Sequence, residues 1–209
     1  MENILLIDKP KGITSFDVIR KLRRSMNIRK MGHGGTLDPL ATGLMIIGVG
    51  AGTKLLTGYI GLDKTYETVI EFGKISDTYD ADGKVEEVKS APQVSRDQVE
   101  EILKKDFTGE ISQTPPIFSA IKVKGQRAYD LARSGKEVKL EPRKVTIKNI
   151  EILKWEWPLV TLKIDCSKGT YIRSIAHDLG QKLGCGGYVK ELRRTRIGDF
   201  KVEDATVLI

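Results

Sequence analysis

The sequence predicts an α+β fold whose mixed, largely antiparallel central sheet is flanked by helices. Three observations predict it. Apolar stretches of strand length alternate with amphipathic helical stretches, but without the regular strand–helix–strand rhythm of a doubly wound sheet. The chain has 209 residues, 40% hydrophobic and 30% charged, enough for one sizeable packed core and too apolar for a disordered chain. Its longest apolar stretches, such as Ile4 to Ile7 and Leu44 to Ile47, are four residues long, against the roughly 20 that a membrane-spanning helix needs.

Taken in order, Ile4 to Ile7 reads as a buried strand, stopped by the proline and glycine of Lys9-Pro10-Lys11-Gly12. Thr14 or Ser15 then caps a helix with Phe16, Ile19, Leu22 and Met26 on one face and arginines and lysines elsewhere. Gly32 to Gly43 holds too much Gly, Thr, Asp and Pro for a regular element and reads as a loop, leading into a strand over Leu44 to Val49. Thr65 to Phe72 suits a strand, Asp77 to Gly83 an acidic turn, and Ser95 with Gln98 a capping box opening a helix through Lys105. A strand near Phe118 to Val123 and a short helix around Ala128 to Arg133 give a charged, hairpin-like insertion. Strands over Val145 to Leu153 and Leu159 to Cys166, separated by Trp155 to Pro158, and an amphipathic helix over Thr170 to Leu183 follow.

Charge points to a polyanionic partner. The formal net charge is +7, and it is unevenly spread. Residues 119–148 hold nine basic side chains against three acidic, and 20–30 hold six cations and no acid, whereas 76–110 hold ten acids against five bases. Two basic clusters beside an acidic one favour RNA or DNA as partner.

Most familiar catalytic patterns are absent. Gly48 to Lys54 is glycine-rich, but Thr53 stands where a phosphate-binding loop or a dinucleotide fingerprint needs glycine, so it reads as a tight strand-to-helix turn. His33, Cys166, His177 and Cys185 are spaced as no zinc site is, so no metal is expected; both cysteines read as buried and reduced, and His177 as an ordinary helix residue. With two histidines and no serine in a nucleophile-elbow context, a Ser-His-Asp hydrolase is not expected either. The informative stretch is Gly32-His33-Gly34-Gly35-Thr36-Leu37-Asp38-Pro39: its glycines let backbone approach a ligand, and Pro39 biases Asp38 toward an extended conformation, presenting a carboxylate on a stiffened platform. On those residues alone, a capping aspartate in a glycine-rich turn is an equal alternative.

That stretch resembles the catalytic signature of the TruB family of tRNA pseudouridine synthases, and it has company. Asp8 to Ser15, Lys64-Thr65-Tyr66-Glu67, Ser76 to Gly83, Gln113 to Lys122, Gly169 to Ser174 and Leu192-Arg193-Arg194 are similar to further motifs of the family, in order, from residue 4 to about 205. The resemblance implies a pseudouridine synthase fold acting without a cofactor. Asp38 is then the nucleophile, Tyr66 lies against the target base, and Arg173 pairs with Asp38. His33, Tyr171 and Leu192 contact substrate, and Lys9 and Pro10 line the floor of the site. The basic stretch at about 119–143 matches the family's mobile thumb, with Lys122, Lys124, Arg127 and Arg133 as RNA contacts, joined by Arg20, Arg23 and Arg24 of the first helix.

Family members commonly carry a small carboxy-terminal domain resembling a PUA module. The sequence ends at Ile209, which implies a single catalytic domain over 1–209 without that module. The expected substrate is the T-loop uridine of tRNA (uridine-55), bound through the T-arm. The wording Phe118-Ser119-Ala120-Ile121-Lys122, with Ala128-Tyr129 and Ala132-Arg133, resembles the stand-alone bacterial members rather than the guide-dependent dyskerin-like ones, implying a monomer that uses no guide RNA. With no basic leader ahead of Asp8, a cytoplasmic protein is expected. The alternatives are a guide-dependent dyskerin-like synthase and a non-catalytic RNA-binding module.

Overall fold

A computed structural model describes residues 3–119, 122–123, 126–127 and 140–208. Its backbone is one ten-stranded mixed, mostly antiparallel sheet with four α-helices among the described residues. The main path runs β14 (Thr206–Val207), β1 (Ile4–Lys9), β3 (Thr42–Val49), β12 (Gly187–Ile197), β4 (Lys64–Phe72), β11 (Leu159–Cys166), β10 (Arg143–Glu156) and β7 (Gly109–Gln113). Among the described strands, only β1 with β14 and β3 with β12 run parallel. Short strands β2 (Met31–His33) and β13 (Phe200–Lys201) pair with β3 and β12. Two hairpins lie off this sheet: β5 (Lys74–Ser76) with β6 (Val85–Glu87), and β8 (Lys122–Val123) with β9 (Gln126–Arg127), where Lys122 is paired with Arg127.

The first helix, α1 (Ser15–Met26), starts where the sequence asks it to. Thr14 and Asp17 form a full capping box, satisfying two of the orphan N–H groups of the first turn. Its buried face is Ser15, Val18, Ile19 and Leu22, and each of these three aliphatic side chains contributes about 1.5–3 kcal/mol by leaving water. Phe16 and Met26, expected on that face, are exposed at 54% and 41%. The strip centred on Val18 and Ile19 wins because Asp17 is held by the cap, and Phe16 turns outward to lie under the guanidinium groups of Arg20 and Arg23.

Helix α2 (Leu56–Ile60) follows a 3₁₀ turn over Gly50–Leu55. The glycines there serve packing: a Cβ on Gly52 would lie 2.0 Å from the Asn3 carbonyl oxygen, and one on Gly48 2.8 Å from that of Gly52. Helix α3 (Arg96–Asp106) opens with the Ser95/Gln98 capping box, and α4 (Ile172–Lys182) buries Ile172, Ile175, Ala176 and Leu179. The core joins that face to Val160, Leu162 and Ile164 of β11, Ile70 and Phe72 of β4, and the buried side of α1. Cys166 and Cys185 are buried and unbridged.

Other departures are local. The expected loop at 32–43 is shorter, because Met31–His33 adds to β3 and β3 itself begins at Thr42. The β10–β11 connection is tighter: Trp155 and Glu156 are still paired, leaving Trp157 and Pro158 to make the turn. Phe118 and Ser119 are bends rather than strand. The expected helix at 128–133 lies outside the described residues, as do Lys124 and Arg133.

Candidate active site

The cleft forms where the 34–41 loop, the start of β4 and the start of α4 meet, and it measures about 530 Å3. Its loop is held from every side. Gly34 N–H donates to the Ile46 carbonyl at 2.8 Å. The buried Ser15 hydroxyl donates to the Leu37 carbonyl and accepts from Leu37 N–H, at 2.9 and 2.8 Å. Gly12 N–H donates to the Pro39 carbonyl, Leu40 N–H to the Asp82 carboxylate at 3.1 Å, and Ala41 N–H to the Asp38 carbonyl. With so many backbone groups satisfied, the loop is a fixed support.

Two buried arginines complete it. Arg194 of β12 is 2% exposed and points its guanidinium at backbone: Nε donates to the Leu44 carbonyl at 2.8 Å, Nη1 and Nη2 to those of Thr36 and Gly35 at 3.3 Å. Gly43 allows this approach, since a Cβ there would sit 2.3 Å from the Arg194 carbonyl oxygen. Arg173 opens α4. Its side chain, 6% exposed, places Nη2 2.9 Å from Asp38 Oδ2 and Nη1 3.2 Å from Asp80 Oδ2. It also donates to the Thr78 and Phe118 carbonyls at 3.0 Å.

Asp38 stands at the lip, its side chain 39% exposed. The pairing fixes the carboxylate's direction, while the exposed remainder faces the cleft. Tyr66 lines the same cavity; burial pushes its phenol pKa up, with Arg194 opposing, so it is a neutral ring. Tyr171 lines it too, its backbone clamped by Gln113, which accepts from Tyr171 N–H at 2.8 Å and donates to its carbonyl at 3.0 Å. Leu192 closes a further wall, and Arg143, Lys144 and Lys168 border it with positive charge.

The structure thus brings Asp38, Tyr66, Arg173, Tyr171 and Leu192 together. Lys9 goes elsewhere: it is fully buried under the loop, its ammonium donating to the carbonyls of Pro10, Ile13 and Pro39 at 2.9, 2.8 and 3.3 Å. Burial lowers its pKa to about 8. It and Pro10 therefore support the loop from below and do not line the cleft. His33 ends β2 just ahead of the loop, and burial lowers its pKa. Arg20, Arg23 and Arg24 lie along α1, away from the cleft lining: Arg20 pairs with Asp17, and Arg23 donates to the Met31 carbonyl. Lys122 and Arg127 lie on the β8–β9 hairpin.

Sequence reasoning assigned no role to Arg194, Asp80, Lys64 or Lys168. Lys64, at the start of β4, also lines the cleft. Its ammonium donates to the Ile60 and Leu62 carbonyls, and burial lowers its pKa to about 8.

Comparison with known proteins bears on what such a cleft does. Residues 23–172 match the family described as TruB family pseudouridylate synthase (N terminal domain), and residues 173–208 match the tRNA pseudouridylate synthase B C-terminal domain. The chain belongs to the TruB family of pseudouridine synthases. Membership makes it an isomerase. Among curated TruB relatives, tRNA pseudouridine synthase B of Aquifex aeolicus is 48% identical over the whole chain, which spans 72% of that protein. The proteins of the same name from Clostridium tetani and Opitutus terrae are 46% and 45% identical, over 98% and 100% of the chain and 71% and 86% of their own lengths.

Solved structures agree with the fold. Cbf5 in a Cbf5-Nop10-Gar1 complex superposes with a TM-score of 0.78 at 30% identity, over 99% of this chain. An H/ACA RNP bound to a substrate RNA gives 0.74 at 27%, again over 99% of it. The chain spans about half the length of these neighbours, 52% and 51%. The boundary between the two TruB matches falls at Arg173, so the arginine and the carboxylate it faces come from different family segments that share one sheet.

Proposed function

We propose that this protein isomerises the T-loop uridine of tRNA, uridine-55, to pseudouridine, with Asp38 as nucleophile, and does so without a guide RNA. The observation that carries the reading is the buried Arg173 guanidinium 2.9 Å from a half-exposed Asp38 on an immobilised loop. A carboxylate so oriented is a nucleophile needing no further activation. The names of the 45–48% identical relatives support tRNA as substrate, and the lower identity to the Cbf5 assemblies supports direct recognition.

The reaction breaks the N1–C1′ bond, turns the base, and forms C5–C1′. The proton on C5 leaves to solvent and N1 ends protonated, so atoms balance without a redox partner or cofactor. Asp38 can add to C1′ or to the base, and an elimination route would use the same carboxylate. Reaching the base requires flipping it out of the T-loop at a cost of a few kcal/mol, offset by phosphate contacts from cations at the rim and on α1. Tyr66 then offers the flipped ring a flat apolar face, Tyr171 and Leu192 confine it, and Arg173 holds Asp38 in line throughout. In this reading the 119–143 insertion and the described sheet work as one catalytic unit on the T-arm, as a monomer.

The test is release of tritium from 5-tritiated uridine in a T-arm hairpin. Asp38→Asn removes the nucleophile while keeping its volume, so release is expected to stop while hairpin binding and melting temperature stay near the parent's. Isomerisation by that variant above the level of contaminating enzyme refutes the assignment.

A further inference from the structure

We propose that Tyr79 and His177 are positioning residues for Arg173: their stacked rings clamp the 76–83 turn onto α4, so that the turn holds the guanidinium against Asp38. The inference rests on the reading of Arg173 as the partner of Asp38 and adds two residues to which sequence and family resemblance gave no such role.

The geometry starts from the turn. Between Ser76 and Gly83 the chain winds around its own polar side chains. Ser76 Oγ donates to the Asp80 carbonyl and Thr78 Oγ1 to the Asp80 carboxylate, each at 2.6 Å. A Cβ on Gly83 would lie 2.2 to 2.6 Å from the side-chain oxygens of Asp77, Thr78 and Ser76, so the winding demands glycine. The turn touches both halves of the site. Thr78 O and Asp80 Oδ2 hold Arg173 at 3.0 and 3.2 Å, and Asp82 accepts from Leu40 N–H beside Asp38 at 3.1 Å. A shift of the turn therefore moves the guanidinium relative to the carboxylate it orients.

Tyr79 lies between the two residues that hold Arg173. Its backbone is left-handed, with φ 65°, an arrangement a bulky residue adopts only when its surroundings impose it. Its own N–H donates to the Ser76 carbonyl at 3.1 Å, and its carbonyl accepts from Val189 N–H at 3.0 Å. The ring stacks on His177 with centroids 3.8 Å apart and planes 11° from parallel. His177 is four residues beyond Arg173 on α4, hence on the same helical face one turn along. Tyr79 is not among the apolar residues packed on either core cluster, so the ring is not there to fill the interior. What its stacking fixes is the distance between the turn and the helix turn that carries Arg173.

The experiment uses the full chain, a 5-tritiated T-arm hairpin under single-turnover conditions with protein in excess, and a separate measurement of hairpin Kd. Tyr79→Ala and His177→Ala are each expected to slow tritium release at saturating protein at least tenfold, about 1.4 kcal/mol of barrier, with Kd within twofold of the parent. The double variant is expected to be no slower than the worse single by more than twofold, because the rings act as one clamp. Tyr79→Phe and His177→Phe, which keep an aromatic pair, are expected to return to within threefold of the parent.

Rates within threefold for both alanine variants overturn the inference, as do losses that multiply in the double variant or appear in Kd alone. Should Tyr79→Ala fail to fold, His177→Ala carries the test, since alanine suits a helix position. Arg173→Met separates the two levels. Normal rates in the ring variants beside an inactive Arg173→Met overturn this inference alone; a normal rate in Arg173→Met overturns the reading of the site on which it rests.

Discussion

Replacing Arg173 by methionine should damage stability and chemistry through two different carboxylates, and pH separates them. The guanidinium is buried and holds both Asp38 and Asp80. Asp38 keeps its access to water when the cation is removed. Asp80 does not: its side chain is 4% exposed, so it is left as an uncompensated buried charge. Breaking a buried pair in this way costs about 3 kcal/mol or more, and for a chain of this size that corresponds to a fall in Tm of about 6–12 °C at pH 7. Burial already pushes the Asp80 carboxyl pKa up, against the Thr78 hydroxyl and Arg173. Without Arg173 it rises further. A group whose folded pKa is raised stabilises the fold below its unfolded value and loses that contribution as pH rises through the folded one. The Tm gap between Arg173→Met and the parent should therefore be widest near neutrality and close as pH falls toward the ordinary carboxylate range. Arg173→Met with Asp80→Asn should recover most of the Tm at pH 7, yet leave tritium release slowed by orders of magnitude, because Asp38 still lacks its orienting partner. Thermal melts from pH 4 to 7.5 and single-turnover release are the assays. A Tm gap independent of pH, or a double variant as unstable as the single, refutes the buried-charge argument; full-rate release in either variant refutes the role of Arg173 in the reaction.

Three further outcomes follow from the same geometry. Removing Arg20 and Arg24 as glutamines should lower the slope of log hairpin affinity against log salt by about 1.4–1.8, if each contacts one phosphate; an unchanged slope removes α1 from the RNA surface. Glu71 meets Tyr188 Oη and the Lys190 and Lys74 ammonium groups at 2.8–2.9 Å; burial pushes its carboxyl up, but those contacts prevail and hold it at about 2. Its stabilising effect is present above the unfolded value and is lost as pH falls through about 4.5 to 2, so the Tm deficit of Glu71→Gln should be full at pH 6 and reduced to about half or less at pH 3. Arg194→Met should release the Gly35 and Thr36 carbonyls and lower both Tm and release rate, and Arg194→Lys should not restore the rate, since one ammonium does not reproduce three divergent N–H donors.

The fold and most of the cleft were legible in the sequence for physical reasons that can be named. Capping boxes at Thr14 and Ser95 are local chemistry, satisfied within four residues, and alternation over Leu159–Cys166 is unbroken, so helix starts and that strand could be read directly. Asp38 could be singled out only with the other family motifs beside it, because the glycines and proline around it suit a capping aspartate in a turn equally well. Arg194 could not. It follows another arginine, and only strict alternation along β12 would have turned one outward and the other in; bulges between Val189 and Glu191 and between Arg194 and Arg196 break that period. Asp80 was hidden for a different reason: among Asp77, Asp80 and Asp82 nothing local says which carboxylate the fold will bury. Phe16 was misplaced because a hydrophobic count gives an aromatic ring to the core, whereas two arginines at helical spacing offer it a cover outside.

The two buried arginines divide the electrostatic work of the site. Arg194 donates to three carbonyl oxygens and has no carboxylate partner among the described residues, so it leaves a positive charge beneath the loop; Arg173 sits between two carboxylates and is neutralised twice over. Arg173 with Asp38 and Asp80 makes one cation between two anions, while Arg194 and the buried Lys9 ammonium place cations beneath the loop. Opposed charges can be buried where a single charge could not, and Asp38, the more exposed of the two carboxylates, stands at the edge of the cleft. The arrangement also accounts for Asp80, a carboxylate too deep to touch substrate: by engaging the second edge of Arg173 it fixes the guanidinium's rotation, and with it the direction from which Asp38 meets the cleft.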